Sequence, residues 1–247
     1  MSNAHSLFIS DLHLCASRPR INQLFFDFLT QTAVHADALY ILGDLFEYWL
    51  GDDTLDQPFN QQVATALKQL ADTGVKLYFM HGNRDFLIAQ DFATLTGATL
   101  LPDPSLINLY GTATLLMHGD TLCTDDIKYL AFRDQVRNPA WQHQFLAQPL
   151  ATRIALAQQA REQSESAKQE KSSEIMDVND AAVTAALQQH GHPRLIHGHT
   201  HRSAVHTYDI DGRTCQRWVL TDWYEHGGYL RCDTAGCELK PINIANE

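Results

Sequence analysis

The chain has 247 residues, enough for one large domain or a domain carrying an insertion; 45% of residues are hydrophobic and 19% charged, which excludes a disordered or fibrous chain. With 18 basic against 29 acidic side chains the formal net charge is −11, which opposes binding to nucleic-acid phosphates unless a local basic patch or bound cations intervene. No run approaches the ~18 apolar residues of a membrane-spanning helix, and no basic stretch followed by an apolar one opens the chain, so neither a transmembrane segment nor a signal peptide is expected.

Ser6–Ser10 (SLFIS) reads as a first buried strand and runs into Asp11-Leu12-His13. Ile21, Leu24, Phe25, Phe28 and Leu29 then recur at helical spacing. Ala38–Leu42 (ALYIL) is a second strand, followed by Gly43-Asp44-Leu45-Phe46-Glu47. Phe59, Val63, Leu67 and Leu70 mark another helix. Lys76–Met80 (KLYFM) precedes Gly82-Asn83-Arg84-Asp85, Thr114–Met117 (TLLM) precedes His118-Gly119-Asp120, and Arg194–Ile196 (RLI) precedes Gly198-His199-Thr200-His201. Strands alternating with helices predict a layered α/β core. Ala204–Ile210, Thr214–Leu220, Gly228–Asp233 and Cys237–Ile242 read as short strands of a second sheet packed on the first. The chain reads as one domain over 1–247, with a helical insertion at 125–190. In that insertion Arg161–Ser173 is a mobile polar stretch and Asp177 begins a further helix. The five cysteines include no C-x-x-C pair, so neither a disulfide framework nor a zinc knuckle is expected and a reducing cytosol fits.

Each strand end thus delivers a polar cluster, and ligands of open α/β sheets collect beyond the carboxyl ends of the strands. Taken singly, each cluster is more readily a turn or a surface pair. Five in order, each after a strand, constitute a site. Carboxylate, imidazole and amide oxygen together suit Mn²⁺, Fe²⁺ or Zn²⁺. The ligands are too many for one ion. Two ions sharing a carboxylate, about 3.5–4 Å apart, would hold a bridging water as hydroxide and clamp a phosphoryl oxygen.

The order D-x-H, G-D, G-N-x-[D/E], H-G, G-H-x-H resembles the calcineurin-like metallophosphoesterase superfamily. The resemblance implies a β-sandwich of two mixed sheets flanked by helices. It implies that Asp11, His13, Asp44 and His201 hold one metal, and that Asp44, Asn83, His118 and His199 hold the other, with Asp44 bridging and Mn²⁺ the expected ion. His197 is not a ligand in that pattern and is expected to support the site. Many members carry His where this chain has Arg84. Arginine grips a phosphate bidentately but does not donate a proton near neutral pH, which favours a phosphate leaving group and hence a pyrophosphate link.

The strings FISDLHL, ALYILGDLFEYWLGDD, FMHGNRDFL, LLMHGDTLCTDD, IMDVN and LIHGHTHR are similar to the branch of that superfamily acting on UDP-2,3-diacylglucosamine in lipid A biosynthesis. That resemblance implies hydrolysis to 2,3-diacylglucosamine 1-phosphate and UMP, with water attacking the α-phosphorus. Asn83, Arg84, His118 and His199 would stand at the reacting centre. Asp126, Ser164, Lys168 and Lys171 would join Asn83, Arg84 and His199 in contacting substrate, with Lys168 standing where that branch often has Asn. The gap from His118 to His199 is more than twice any earlier gap between motifs, as a lid requires. Tyr129, Phe132, Trp141, Phe145, Leu150 and Ile154 are candidates to line its acyl groove. Arg84, Arg133, Arg137, Arg153, Arg161, Lys168, Lys171 and Arg202 would attract a diphosphate and an anionic membrane surface. Peripheral attachment to the cytoplasmic face of the inner membrane, no nucleic-acid partner and a monomer are the accompanying expectations. The rivals are another calcineurin-like phosphodiesterase or phosphatase acting on a nucleotide or phosphoprotein, which would favour His at position 84 and need no lid, and a metal-free scaffold.

Overall fold

In the computed structural model, which describes residues 4–170 and 177–242, strands β1 (His5–Ile9), β2 (Ala38–Leu42) and β3 (Lys76–Met80) lie parallel and in register with the three apolar runs. The crossovers are α1 (Pro19–Gln31) and α2 (Pro58–Asp72). Both start at a proline, whose fixed φ suits the first turn and whose missing N–H is no loss there. Alternate residues of β1 point to opposite faces. Leu7 and Ile9 enter a core beneath the helices with Phe25, Phe28, Val63 and Leu67, whereas Phe8 enters a second core with Leu42, Met80, Leu116, Ile196 and Trp218. Each such fully buried side chain contributes about 1.5–3 kcal/mol.

The second core lies between two sheets. The remaining strands are β4 (Ala98–Leu101), β5 (Ser105–Leu109), β6 (Thr112–Leu116), β7 (Arg194–His197), β8 (Ala204–Ile210), β9 (Arg213–Val219), β10 (Gly227–Asp233) and β11 (Gly236–Ile242). One sheet has six strands in the order β11-β10-β1-β2-β3-β4, and the other five in the order β5-β6-β7-β9-β8. Parallel and antiparallel pairings occur in both sheets. This is the expected pair of mixed sheets, with two corrections. The last four strands do not form a sheet of their own: β8 and β9 extend β7, while β10 and β11 return to the edge of β1. The unanticipated β4 and β5 are half-exposed edge strands without a continuous apolar run. The short helix α3 (Gln90–Thr96) was likewise not marked by periodicity; it stops at Gly97 in the left-handed conformation. Against the expectation of no disulfide, Cys232 and Cys237 are bonded, because the β10–β11 register sets them directly opposite each other.

Between β6 and β7 the chain forms α4 (Ile127–Arg137), α5 (Pro139–Leu146), α6 (Leu150–Glu170) and α7 (Asp180–Gln189). The stretch from Arg161 is helical as far as Glu170, and its remainder to Ser173 lies outside the described residues. The last helix starts at Asp180 rather than Asp177, because the Asn179 side chain accepts from the N–H groups of Ala181 and Ala182. Four of the six residues expected to line a groove instead join the main core: Phe145 is buried, and Trp141, Leu150 and Ile154 pack against it. Phe132 is 46% exposed. Arg153 is only 2% exposed; it bonds the Leu50 carbonyl and pairs with Asp53, so it is not free to meet a diphosphate.

Candidate metal centre

The five clusters follow β1, β2, β3, β6 and β7 and meet at one end of the sandwich. Five of the eight described non-glycine residues with positive φ are proposed ligands: Asp11 (56°), His13 (50°), Asp44 (54°), His199 (69°) and His201 (56°). A left-handed backbone is costly for residues with a Cβ and persists where the surroundings over-determine it, commonly at functional sites. Glycines make room beside them. A Cβ at Gly82 would strike the Asp44 carboxylate, and one at Gly198 would strike Ser10 and the Asp11 carboxylate.

Asp11, His13 and His201 bring ligand atoms within 4.8 Å of one another, as do Asp11, Asp44 and His118. Asp44 also approaches His13 Nε2 at 3.8 Å and His118 Nε2 at 3.9 Å, so it reaches both groups. Asn83 Oδ1 stands 3.1 Å from His118 Nε2 and 3.0 Å from His199 Nδ1, which joins the four residues of the second expected set. The His118 Nδ1–H donates to the Leu42 carbonyl at 2.9 Å and so fixes the ring with Nε2 inward. Asp11 Oδ1, 3.4 Å from His201 Nε2, and both ring nitrogens of His13, with Glu47 3.7 Å from Nδ1, are buried and make no hydrogen bond. Buried polar atoms left without a hydrogen bond are costly, and here they are the atoms that a divalent cation would satisfy. The donor set fits the metal that the clusters imply.

The charges point the same way. Burial, with Asp85 and Asp11 nearby, pushes the Asp44 carboxyl up to about 7. Burial opposes a charge on His118, yet Asp44, Asp120 and Asp11 together hold it up to about 9. Burial, then His118, drives His199 down to about 3. This crowding of acids around imidazoles is relieved when cations take the place of the protons.

Asp85 and Asp120, present in the motifs but assigned no role from sequence, are fully buried. Asp85 accepts from the N–H groups of Gly82 (2.8 Å), Leu45 (2.8 Å) and Asp44 (3.3 Å), tying the Gly82 turn to the Asp44 turn. Asp120 accepts from Tyr129 Oη at 2.6 Å and Arg133 Nε at 2.7 Å, which anchors α4 beside His118. Tyr224, in a segment without a motif, stacks on His13 with centroids 5.3 Å apart. Its only sequence signal is an aromatic residue beside Trp223. His197 is buried, donates to the Gly198 carbonyl at 2.8 Å and is pushed down to about 4 by burial and Arg217.

The expected substrate contacts are less evenly placed. The Arg84 N–H donates to Asp44 Oδ1 at 2.8 Å, which sets its side chain beside the centre. Asp126 caps α4, accepting from the Tyr129 N–H at 3.1 Å. The side chains of Ser164 and Lys168, and all of Lys171, lie outside the described residues. Arg137 donates to the Gly82 carbonyl at 2.8 Å, Arg161 meets Glu47 at 3.4 Å and Arg202 pairs with Asp177.

With this fold and this centre, the chain belongs to the calcineurin-like phosphoesterase family, whose model matches residues 5–203. Among curated relatives it is 55% identical to a UDP-2,3-diacylglucosamine hydrolase of Aromatoleum aromaticum, over 94% of each chain. It is 54% identical to one of Stenotrophomonas maltophilia, covering 96% of this chain and 98% of the relative. It is 52% identical to one of Xanthomonas axonopodis pv. citri, covering 97% and 99%.

Proposed function

We propose that this chain hydrolyses the pyrophosphate link of UDP-2,3-diacylglucosamine, releasing 2,3-diacylglucosamine 1-phosphate and UMP, with two Mn²⁺ ions as cofactors. The observation that carries the chemistry is the set of left-handed, buried and partly unsatisfied ligands around Asp11 and Asp44. The substrate is supported by relatives of that name aligned over nearly the whole chain.

In this reading Asp11, His13, Asp44 and His201 hold one ion and Asp44, Asn83, His118 and His199 the other. When bound, the ions supply an activated water and neutralise charge on the phosphoryl oxygens. Arg84 grips the diphosphate and leaves the departing sugar phosphate, which needs no proton to depart, without an acid partner. Asn83 and His199 orient the α-phosphate between the two groups. Asp126 contacts the glucosamine side, with Ser164, Lys168 and Lys171.

The helices α4–α6 form the proposed lid. Ile127 (75% exposed), Phe132, Leu146 and Leu156 are apolar and exposed on them, and they replace the buried set as the acyl-contacting surface. Each methylene buried there contributes about 0.8 kcal/mol. The same surface supports peripheral contact with the cytoplasmic face of the inner membrane. No helix among the described residues is long and apolar enough to cross a membrane.

The test is a comparison of substrates with metal-loaded protein. UDP-2,3-diacylglucosamine is expected to turn over at least 100-fold faster than a phosphomonoester or a cyclic nucleotide. The reverse order would keep the metal centre and discard the substrate.

A further inference from the structure

Behind the Gly198–His201 loop lies a cavity of about 260 Å³ that the proposed reaction does not use. Its lining includes Thr200, Arg202, His206 and Arg217, with Asp177 paired to Arg202. Arg217 is 5% exposed. Its Nε donates to Tyr208 Oη at 3.1 Å and its Nη1 to His197 Nε2 at 3.2 Å. Among the described residues its guanidinium has no carboxylate at ion-pair distance. A buried cation without a counter-charge is strongly disfavoured. Thr200 Oγ1, on the same cavity, is buried and has no hydrogen-bond partner. A fork of guanidinium donors beside an unused hydroxyl matches a tetrahedral oxyanion.

We propose that this cavity is an anion site that takes a phosphate group, held by Arg217 and Thr200. The phosphate comes either from free inorganic phosphate or from a nucleoside monophosphate. The site is separate from the metal ligands but joined to them. Arg217 holds His197, His197 bonds the Gly198 carbonyl, and the next residue, His199, donates its N–H to Asp11 Oδ2 at 2.8 Å.

The test follows thermal unfolding of the metal-loaded full chain during titration with inorganic phosphate, UMP or uridine. The wild type is compared with Arg217→Gln and His206→Glu. Binding at the metals is common to the wild type and His206→Glu, so the difference between these two is read, with Arg217→Gln as a second variant. His206 is exposed and lies directly across the β8–β9 pair from Arg217, so a glutamate there supplies the missing carboxylate while leaving the core intact. Both variants are expected to weaken the apparent phosphate affinity at least tenfold. His206→Glu should also raise the melting temperature in phosphate-free buffer. Stabilisation by both phosphate and UMP assigns the site to free phosphate, and stabilisation by UMP alone assigns it to a nucleotide. An identical response in wild type and His206→Glu overturns the proposal, whether or not Arg217→Gln folds. So does equal stabilisation by uridine, which carries no phosphate.

Discussion

Asp85 makes no contact with substrate in this account, yet it holds the three N–H groups that set the Gly82 and Asp44 turns. Asp85→Asn offers an amide donor where only acceptors fit. It is expected to lower metal affinity about 10–100-fold, as loss of a supporting hydrogen bond around a metal commonly does. Metal titration by calorimetry checks this, and unchanged affinity would remove Asp85 from the site. Cys123 gives a chemical check on the same neighbourhood. Burial, then Asp120, pushes its thiol up to about 12. The thiolate is the reactive form, so near pH 8 only about one in 10⁴ Cys123 thiols is reactive. Alkylation of intact protein should mark the partly exposed Cys15 and spare Cys123, with Cys123 labelling rising only on unfolding. The proposed ligands are legible as motifs, because D-x-H, G-D and G-H-x-H carry them in order. The supports were less so: nothing in the string G-N-R-D says that its last carboxylate faces backbone amides across two loops.

The helices between β6 and β7 are tied to the body at the level of elements by the pairing of Arg153 on α6 with Asp53 after β2. Arg153→Ala leaves the Leu50 carbonyl unpaired and is expected to cost about 1–3 kcal/mol, measured by chemical denaturation. The pairing also has a pH signature. Arg153 holds the Asp53 carboxyl below its ordinary value, so the unfolded chain takes up its proton first as pH falls. The contribution is complete above the usual carboxylate range and is lost as pH falls through the lowered folded value. It is modest, because Asp53 is 58% exposed. The Arg153→Ala variant should lose that part of the acid dependence. Elements of strong period, α1, α2 and β1–β3, were readable from sequence because one face of each is continuously apolar. The edge strands β4 and β5 were not, since their side chains are half solvated. The β8–β11 hairpins were recognised as strands but not as members of different sheets, because sheet membership is decided by long-range pairing with β7 and β1.

For the molecule as a whole, a net charge of −11 and a buried cluster of carboxylates are a burden that bound cations relieve. Ligands that bind only the folded state stabilise it by mass action. Chelation should therefore lower the melting temperature by several degrees, Mn²⁺ should restore it, and Asp44→Asn should abolish most of that response. The family was readable because the motif order holds although four described α-helices separate the β6 motif from the β7 motif. The lining of any acyl groove was not, because the same apolar spacing serves packing on the body, as it does for Trp141, Phe145, Leu150 and Ile154. The most direct measurement of the central claim is turnover of UDP-2,3-diacylglucosamine in ¹⁸O-water, with and without Mn²⁺. The account predicts metal-dependent release of 2,3-diacylglucosamine 1-phosphate and UMP, with the label in UMP. Label in the sugar phosphate would contradict attack on the α-phosphorus, and no turnover by metal-loaded protein would contradict the assignment of substrate.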